Sequence, residues 1–167
     1  YNDRIEQIYS KHKNRQKFKN FDQKFGLNTY EDAYNVQSAL QNIWSYKGKL
    51  SGYKLALTSK PIQAMFGIDT PMKGNLFADT ILYGNRAIEI SDYVNLGIEF
   101  ELCVEIGEDF GKNTSGLTIN DCYRKIAAIY PAFELIDDRN ADYTNVNLIS
   151  ATADNSWNAN NILGNRQ

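Results

Sequence analysis

Two cysteines, three prolines and a single histidine are all that the 167 residues contain of those types, and no apolar run approaches the roughly 20 residues needed to cross a bilayer. Cys103 and Cys122 stand in no C-x-x-C or Cys/His spacing, so the sequence offers neither a disulfide framework nor a zinc finger. A reducing compartment, the cytoplasm, is the expected location. The one histidine, His12, falls in a basic stretch where it is expected to be exposed; no Ser-His-Asp constellation can be assembled, and no glycine-rich phosphate cradle is present. A surplus of one charge sign is missing too. Eighteen basic side chains stand against 20 acidic ones, for a net charge of -2, which argues against a nucleic-acid footprint or a membrane-surface patch.

What is present suffices for one core: 43% of the residues are hydrophobic, in a length that suits a single domain. Residues 1–28 read as a basic helical leader, with Lys and Arg around a sparse stripe of Ile5, Ile8 and Tyr9, and are expected to be solvated. Residues 29–167 read as the main domain. In "NTYEDAYNVQSALQNIWSYKGK", Thr29 is a candidate cap, Glu31 and Asp32 favour a helix N-terminus, and Ala33, Val36, Leu40, Ile43 and Trp44 recur at helical spacing until Gly48. "GYKLALT" predicts a short strand, and Ser59 followed by Pro61 predicts a short helix ending at Gly67. "GNLFADTILYG" suggests a strand pair, a helix is expected from Asn120 to Ala128, and "YPAFELIDDR" reads as a buried strand with Pro131 at its start. The tail "NLISATADNSWNANNILG" is Asn-rich and reads as irregular until its last apolar residues.

The chemistry gathers in "GIEFELCVEIG". On a strand, Glu99, Glu101, Cys103 and Glu105 share one face, and Ile98, Phe100, Leu102, Val104 and Ile106 share the other. For this strand taken alone, an antiparallel strand with one wet face is a plainer reading than a metal site, and a second strand shifts the balance. Glu134, between Phe133 and Leu135, puts another carboxylate near a core, and clustered buried carboxylates need a cation, a proton or a basic partner. Two glutamates from one strand and one from another would make a hard-oxygen site suited to Mg²⁺ or Mn²⁺. Lys54, among Leu55, Ala56 and Leu57, is either a desolvated ammonium beside those acids or an edge-strand lysine with its head in water.

The segments "AYNVQ", "GYKLALTSKPIQAMFGIDTPMKGNLFAD", "IEFELCVEI", "PAFELIDDRNADY" and "ADNSWNANNILG" together resemble the 2-keto-4-pentenoate hydratase and 4-oxalocrotonate decarboxylase family of the fumarylacetoacetate hydrolase superfamily, from about Thr29 to Gly164. The resemblance implies an α+β fold, with N-terminal helices on a curved mixed or antiparallel sheet like the superfamily's β-roll. It implies a hydro-lyase in aromatic-compound catabolism that adds water to a 2-hydroxy-2,4-dienoate, giving a 4-hydroxy-2-oxo acid; a 2-oxo acid decarboxylase and a truncated, non-catalytic binding module are the alternatives. Hydrolysis of a diketone C–C bond fits less well, because no His-Glu pair is visible. By the family's E-x-E and P-A-x-E patterns the Mg²⁺ or Mn²⁺ ligands are Glu99, Glu101 and Glu134. Lys54, in K-x-x-x-T-S, is expected to face the substrate as the catalytic lysine, and Ser59, Asp154 and Trp157 are expected to bind it; packing explains Trp157 equally well, and Asx-rich turns explain Asp154. The expected partners are a small 2-oxo or 2-hydroxydienoate acid and further copies of the chain as a homo-oligomer. The chain departs from the family at Met72, where many hydratases carry an acid, at Gly97, where an arginine is frequent, and after Gly164, where the family's C-terminal strands are expected to be missing.

Overall fold

A computed structural model describes residues 2–21, 25–111 and 114–167. Helix α1 (Asn2–Lys13) packs beside α2 (Tyr30–Ile43), which a 3-10 turn at Trp44–Lys47 extends to Gly48. The cap of α2 is the one the sequence suggests, in reciprocal form: the Thr29 hydroxyl accepts from the Asp32 N–H, and the Asp32 carboxylate accepts from the Thr29 N–H. Gly48 ends the turn at φ 85°, a conformation that a side chain would strain. Ala33, Val36, Leu40 and Trp44 face inward and meet Ile5 and Ile8 of α1 and Phe77. The expectation of a solvated leader is corrected here, because Ile5 and Ile8 are buried in this core. Two apolar residues one helical turn apart are enough to seat a helix that is otherwise charged.

Two sheets lie beyond the helices. Strand β1 (Leu50–Ala56) pairs antiparallel with β2 (Met72–Phe77), joined through the short helix α3 (Lys60–Met65), which carries Pro61 in its first turn. The second sheet has the order β3-β6-β5-β4, made of β3 (Ile81–Tyr83), β4 (Leu96–Ile106), β5 (Ile126–Asp137) and β6 (Asn158–Leu163). Its β3–β6 pairing is parallel and the others antiparallel, so the architecture is α+β with a mixed sheet. Helices α4 (Ile119–Arg124) and α5 (Leu148–Ala153) precede β5 and β6.

Four local expectations are revised. Strands β2 and β3 do not pair with each other but join different sheets. Helix α4 stops at Arg124, and β5 starts at Ile126, which leaves Pro131 in mid-strand, where its carbonyl accepts from Gly164 N–H. The Asn-rich tail forms α5 and the regular strand β6. The apolar face of β4 is open: Ile98, Phe100 and Leu102 are 58%, 86% and 72% exposed. Alternation told the two faces apart but not whether either is covered, and Glu99, Glu101 and Glu105 on the other face are exposed as well. Among the described residues, no helix is long and apolar enough to cross a membrane.

Candidate metal centre

Glu99 and Glu101 project from one face of β4, and the antiparallel register sets Glu99 directly opposite Glu134 on β5. Each of the three carboxylates offers an oxygen, and these oxygens lie within 4.8 Å of one another. Like charges facing across a ladder destabilise it unless something compensates them. Part of that compensation is Lys54, whose Nζ lies 3.0 Å from Glu134 Oε1, both side chains being almost wholly buried. Asn158 on β6 donates from Nδ2 to the same oxygen at 2.8 Å. Burial, then the charges of Glu134 and Glu99, push the Glu101 carboxyl above its ordinary range, and Lys54 pulls the other way. One ammonium against three carboxylates leaves two negative charges, which a divalent cation would balance. The donors are all carboxylate oxygens, with no sulfur or imidazole, so the residues present fit a hard cation.

Strand β1 positions Lys54 by inverting the usual pattern: Tyr53 and Leu55 are more than half exposed, and the charged residue between them points inward. Gly74, its register partner on β2, makes this possible. A Cβ there would come within 3.2 Å of the Lys54 stem and 2.9 Å of the Asn155 carbonyl. Gly97, where the resemblance led one to look for arginine, has a similar constraint: a Cβ would lie 2.7 Å from Ile136 Cγ1, so the strand has no room for a side chain there.

Beside the carboxylates opens a cavity of about 590 Å³, lined by Lys54, Glu99, Glu101, Ser59 and Trp157 among others. Of the seven residues singled out in the sequence, Lys54, Glu99, Glu101 and Glu134 form one cluster, and Ser59 and Trp157 join it at the cavity wall. Ser59 makes no side-chain cap bond to α3. Asp154 does not face the cavity. It is 1% exposed, accepts from Arg139 Nη2 at 2.8 Å, and lies 2.7 Å from His12 Nε2. The expectation that Asp154 binds substrate is therefore corrected, and so is that of an exposed His12, whose side chain is only 25% exposed. Met72 is buried, lines the cavity, and receives the Thr152 hydroxyl on its sulfur at 3.5 Å.

Asn155 reads in the sequence as a supporting or loop residue that an Asx-rich turn would explain, and the structure gives it a definite task. Residues 155–157 all adopt left-handed backbone, with φ of 61°, 49° and 60°, at a cost on the order of 1–3 kcal/mol each. The turn is held because the Asn155 side chain pairs with the Asn75 backbone as a strand would, accepting from N–H at 2.7 Å and donating to the carbonyl at 3.0 Å. This aims Ser156 and Trp157 into the cavity. The Asn-rich run was the signal, since asparagine tolerates this conformation better than other non-glycine residues.

No family model matches the chain. The 2-oxo-hept-4-ene-1,7-dioate hydratase of Escherichia coli is 32% identical over 145 residues, which are 83% of this chain and 53% of that protein. The 2-keto-4-pentenoate hydratase 2 of Dechloromonas aromatica (strain RCB) is 29% identical over 137 residues, 81% of this chain and 51% of that one. Among solved structures, 4-oxalocrotonate decarboxylase from Pseudomonas putida G7, complexed with magnesium and adipate, superposes with a TM-score of 0.84 at 26% identity, over 96% of this chain and 60% of that one. In sequence and in fold the chain is similar to the 2-keto-4-pentenoate hydratase and 4-oxalocrotonate decarboxylase family. It spans about half the length of the curated hydratases it matches. Another structure of the decarboxylase, complexed with calcium and acetate, matches with a TM-score of 0.78. The family's structures thus include complexes with hard divalent cations, and the present chain brings three carboxylates together in one cluster.

Proposed function

We propose that this chain carries the metal and substrate site of a hydratase-type lyase, acting on a 2-hydroxy-2,4-dienoate to give a 4-hydroxy-2-oxo acid. The observation that carries the reading is the meeting of Glu99, Glu101 and Glu134 within 4.8 Å, with Lys54 on the third of them. Glu99, Glu101 and Glu134 would hold Mg²⁺ or Mn²⁺, and such an ion supplies positive charge where a 2-oxo group and its carboxylate gain electron density. The chain's own groups do the rest. The reaction removes the dienol proton from the 2-oxygen and places one on C5, giving a 2-oxo-3-enoate; water then adds across C3–C4, its OH to C4 and its hydrogen to C3. Lys54 Nζ, 3.0 Å from Glu134 Oε1, is placed to move these protons between substrate and carboxylate. Trp157 and apolar side chains line the remainder of the cavity. A place in aromatic-compound catabolism and assembly as a homo-oligomer go with this reading.

The decarboxylase reading has one observation of its own, the superposition on 4-oxalocrotonate decarboxylase. Carbon dioxide release against loss of dienoate ultraviolet absorbance separates the two. The metal claim has an independent test. Mg²⁺ is expected to raise the melting temperature of the wild type by several degrees, by mass action on the folded state, and to lose that effect in Glu101→Ala. No shift in either protein would remove the metal site. The effect also depends on pH. Because the Glu101 carboxyl is held above its ordinary range, its contribution to the metal-free fold is full at low pH and is lost as pH rises through the folded pKa. Mg²⁺ needs the carboxylate, so the Mg²⁺-induced shift should grow over that same rise.

A further inference from the structure

The cavity has a charged corner and a long uncharged wall, and the contrast bears on substrate choice. Around the corner lie Glu99, Glu101, Glu134 and Lys54. A divalent ion held there would cancel their two net negative charges, and Lys54 could then meet one substrate carboxylate. The wall is Ile62 and Met65 of α3, Ile136 of β5, Val146 and Leu148 around the start of α5, and Trp157. Its polar members, Thr58, Ser59, Tyr143 and Ser156, are neutral, and among the described residues Lys54 is the lone cation lining the cavity. Cations close by in sequence are turned elsewhere. Lys60 Nζ donates to Gln63 Oε1 and to the Asp69 carbonyl. Lys73 Nζ lies over the Tyr34 and Tyr53 rings, and Arg139 is paired with Asp154.

Resting on the reading given under Proposed function, we propose that the site selects a 2-oxo monocarboxylate with an uncharged, apolar tail and discriminates against the dicarboxylate of the same carbon count. A second carboxylate would leave water for a wall with no cation to receive it, near three glutamates of its own sign. The volume of about 590 Å³ falls in the range of roughly 300–1,000 Å³ that encloses drug-sized ligands, so it accommodates a tail longer than that of a five-carbon acid. In this the chain parts from two of its relatives, one named for a 1,7-dioate and one crystallised with adipate.

Titration calorimetry on the full chain in saturating Mg²⁺, with 2-oxohexanoate and with 2-oxohexanedioate, tests this without reference to turnover. The monoacid is expected to bind at least tenfold more tightly. Met65 is 74% exposed, so Met65→Lys adds an ammonium to the wall at little risk to folding, and should narrow the gap at least fivefold by tightening the diacid. Equal or tighter binding of the diacid to the wild type overturns the proposal and leaves the metal reading intact. So does a gap that Met65→Lys does not change, since the discrimination would then lie outside this wall. If Mg²⁺ alone gives no heat and neither acid binds, both fall together.

Discussion

Lys54→Met will lower turnover by at least a hundredfold, the lower end of what a positioned proton-transfer group contributes. Methionine keeps much of the stem's volume in the space that Gly74 leaves, so the change removes the ammonium with limited loss of packing. The metal should respond in the opposite sense. Nζ lies 3.0 Å from an oxygen of Glu134, where its positive charge competes with a cation for the same carboxylate. Removing it should raise Mg²⁺ affinity a few-fold while turnover falls, a divergence that simple unfolding cannot produce. Lys54→Arg sharpens the test: a guanidinium keeps the charge but does not give up a proton near neutral pH, so it should not restore turnover. The readouts are loss of the dienoate's ultraviolet absorbance and the Mg²⁺ dependence of melting. Full turnover in Lys54→Met would sink the role given to this residue.

The acids of β4 were legible because their spacing is local. Glu99 and Glu101, two apart on an extended segment, must share a face whatever the tertiary structure. That Glu134 stands opposite Glu99 depends on register between strands 35 residues apart, which no local rule supplies; the family pattern supplied it. Lys54 was ambiguous for the same reason, because an alternating strand shows which residues share a face and not which face is buried. The same limit explains the open apolar side of β4, which reads in sequence as a core face. Strand β6 was missed because asparagines at 158, 160 and 161 oppose strand propensity. What overrides them is tertiary: Asn158 holds Glu134, and Tyr93 Oη donates to Asn160. Helix α2, by contrast, was read nearly to its ends, since capping box, apolar period and terminal glycine all lie within 20 residues.

Asp154→Ala should cost about 3–5 kcal/mol of folding stability, the usual penalty for stripping one partner from a buried ion pair. Arg139 is 3% exposed and would be left with its charge unmet. The loss spreads because the pair fastens the N-terminal segment to the sheet side. Arg139 Nε donates to the Gln16 carbonyl, its own carbonyl accepts from Phe18 N–H, and His12 of α1 lies against Asp154. None of this was visible in the sequence, where His12 and Asp154 are 142 residues apart. For a chain of this size each kcal/mol moves the melting temperature by about 2–4 °C, so a fall on the order of 10 °C is expected. The acid limb adds a signature. Burial works to raise the Asp154 carboxyl, but the charges of His12 and Arg139 and their hydrogen bonds outweigh it, and the group lies below the ordinary aspartate range. A depressed carboxylate contributes stability above its unfolded pKa and loses it as pH falls through the folded one. Urea melts from neutral pH downward should therefore show wild-type stability starting to fall as pH enters the ordinary aspartate range and falling further until pH has passed the depressed folded pKa, with that step absent in Asp154→Asn. A penalty under about 1 kcal/mol in Asp154→Ala would mean that the helix α1 face, through Ile5 and Ile8, holds the N-terminal segment without the ion pair.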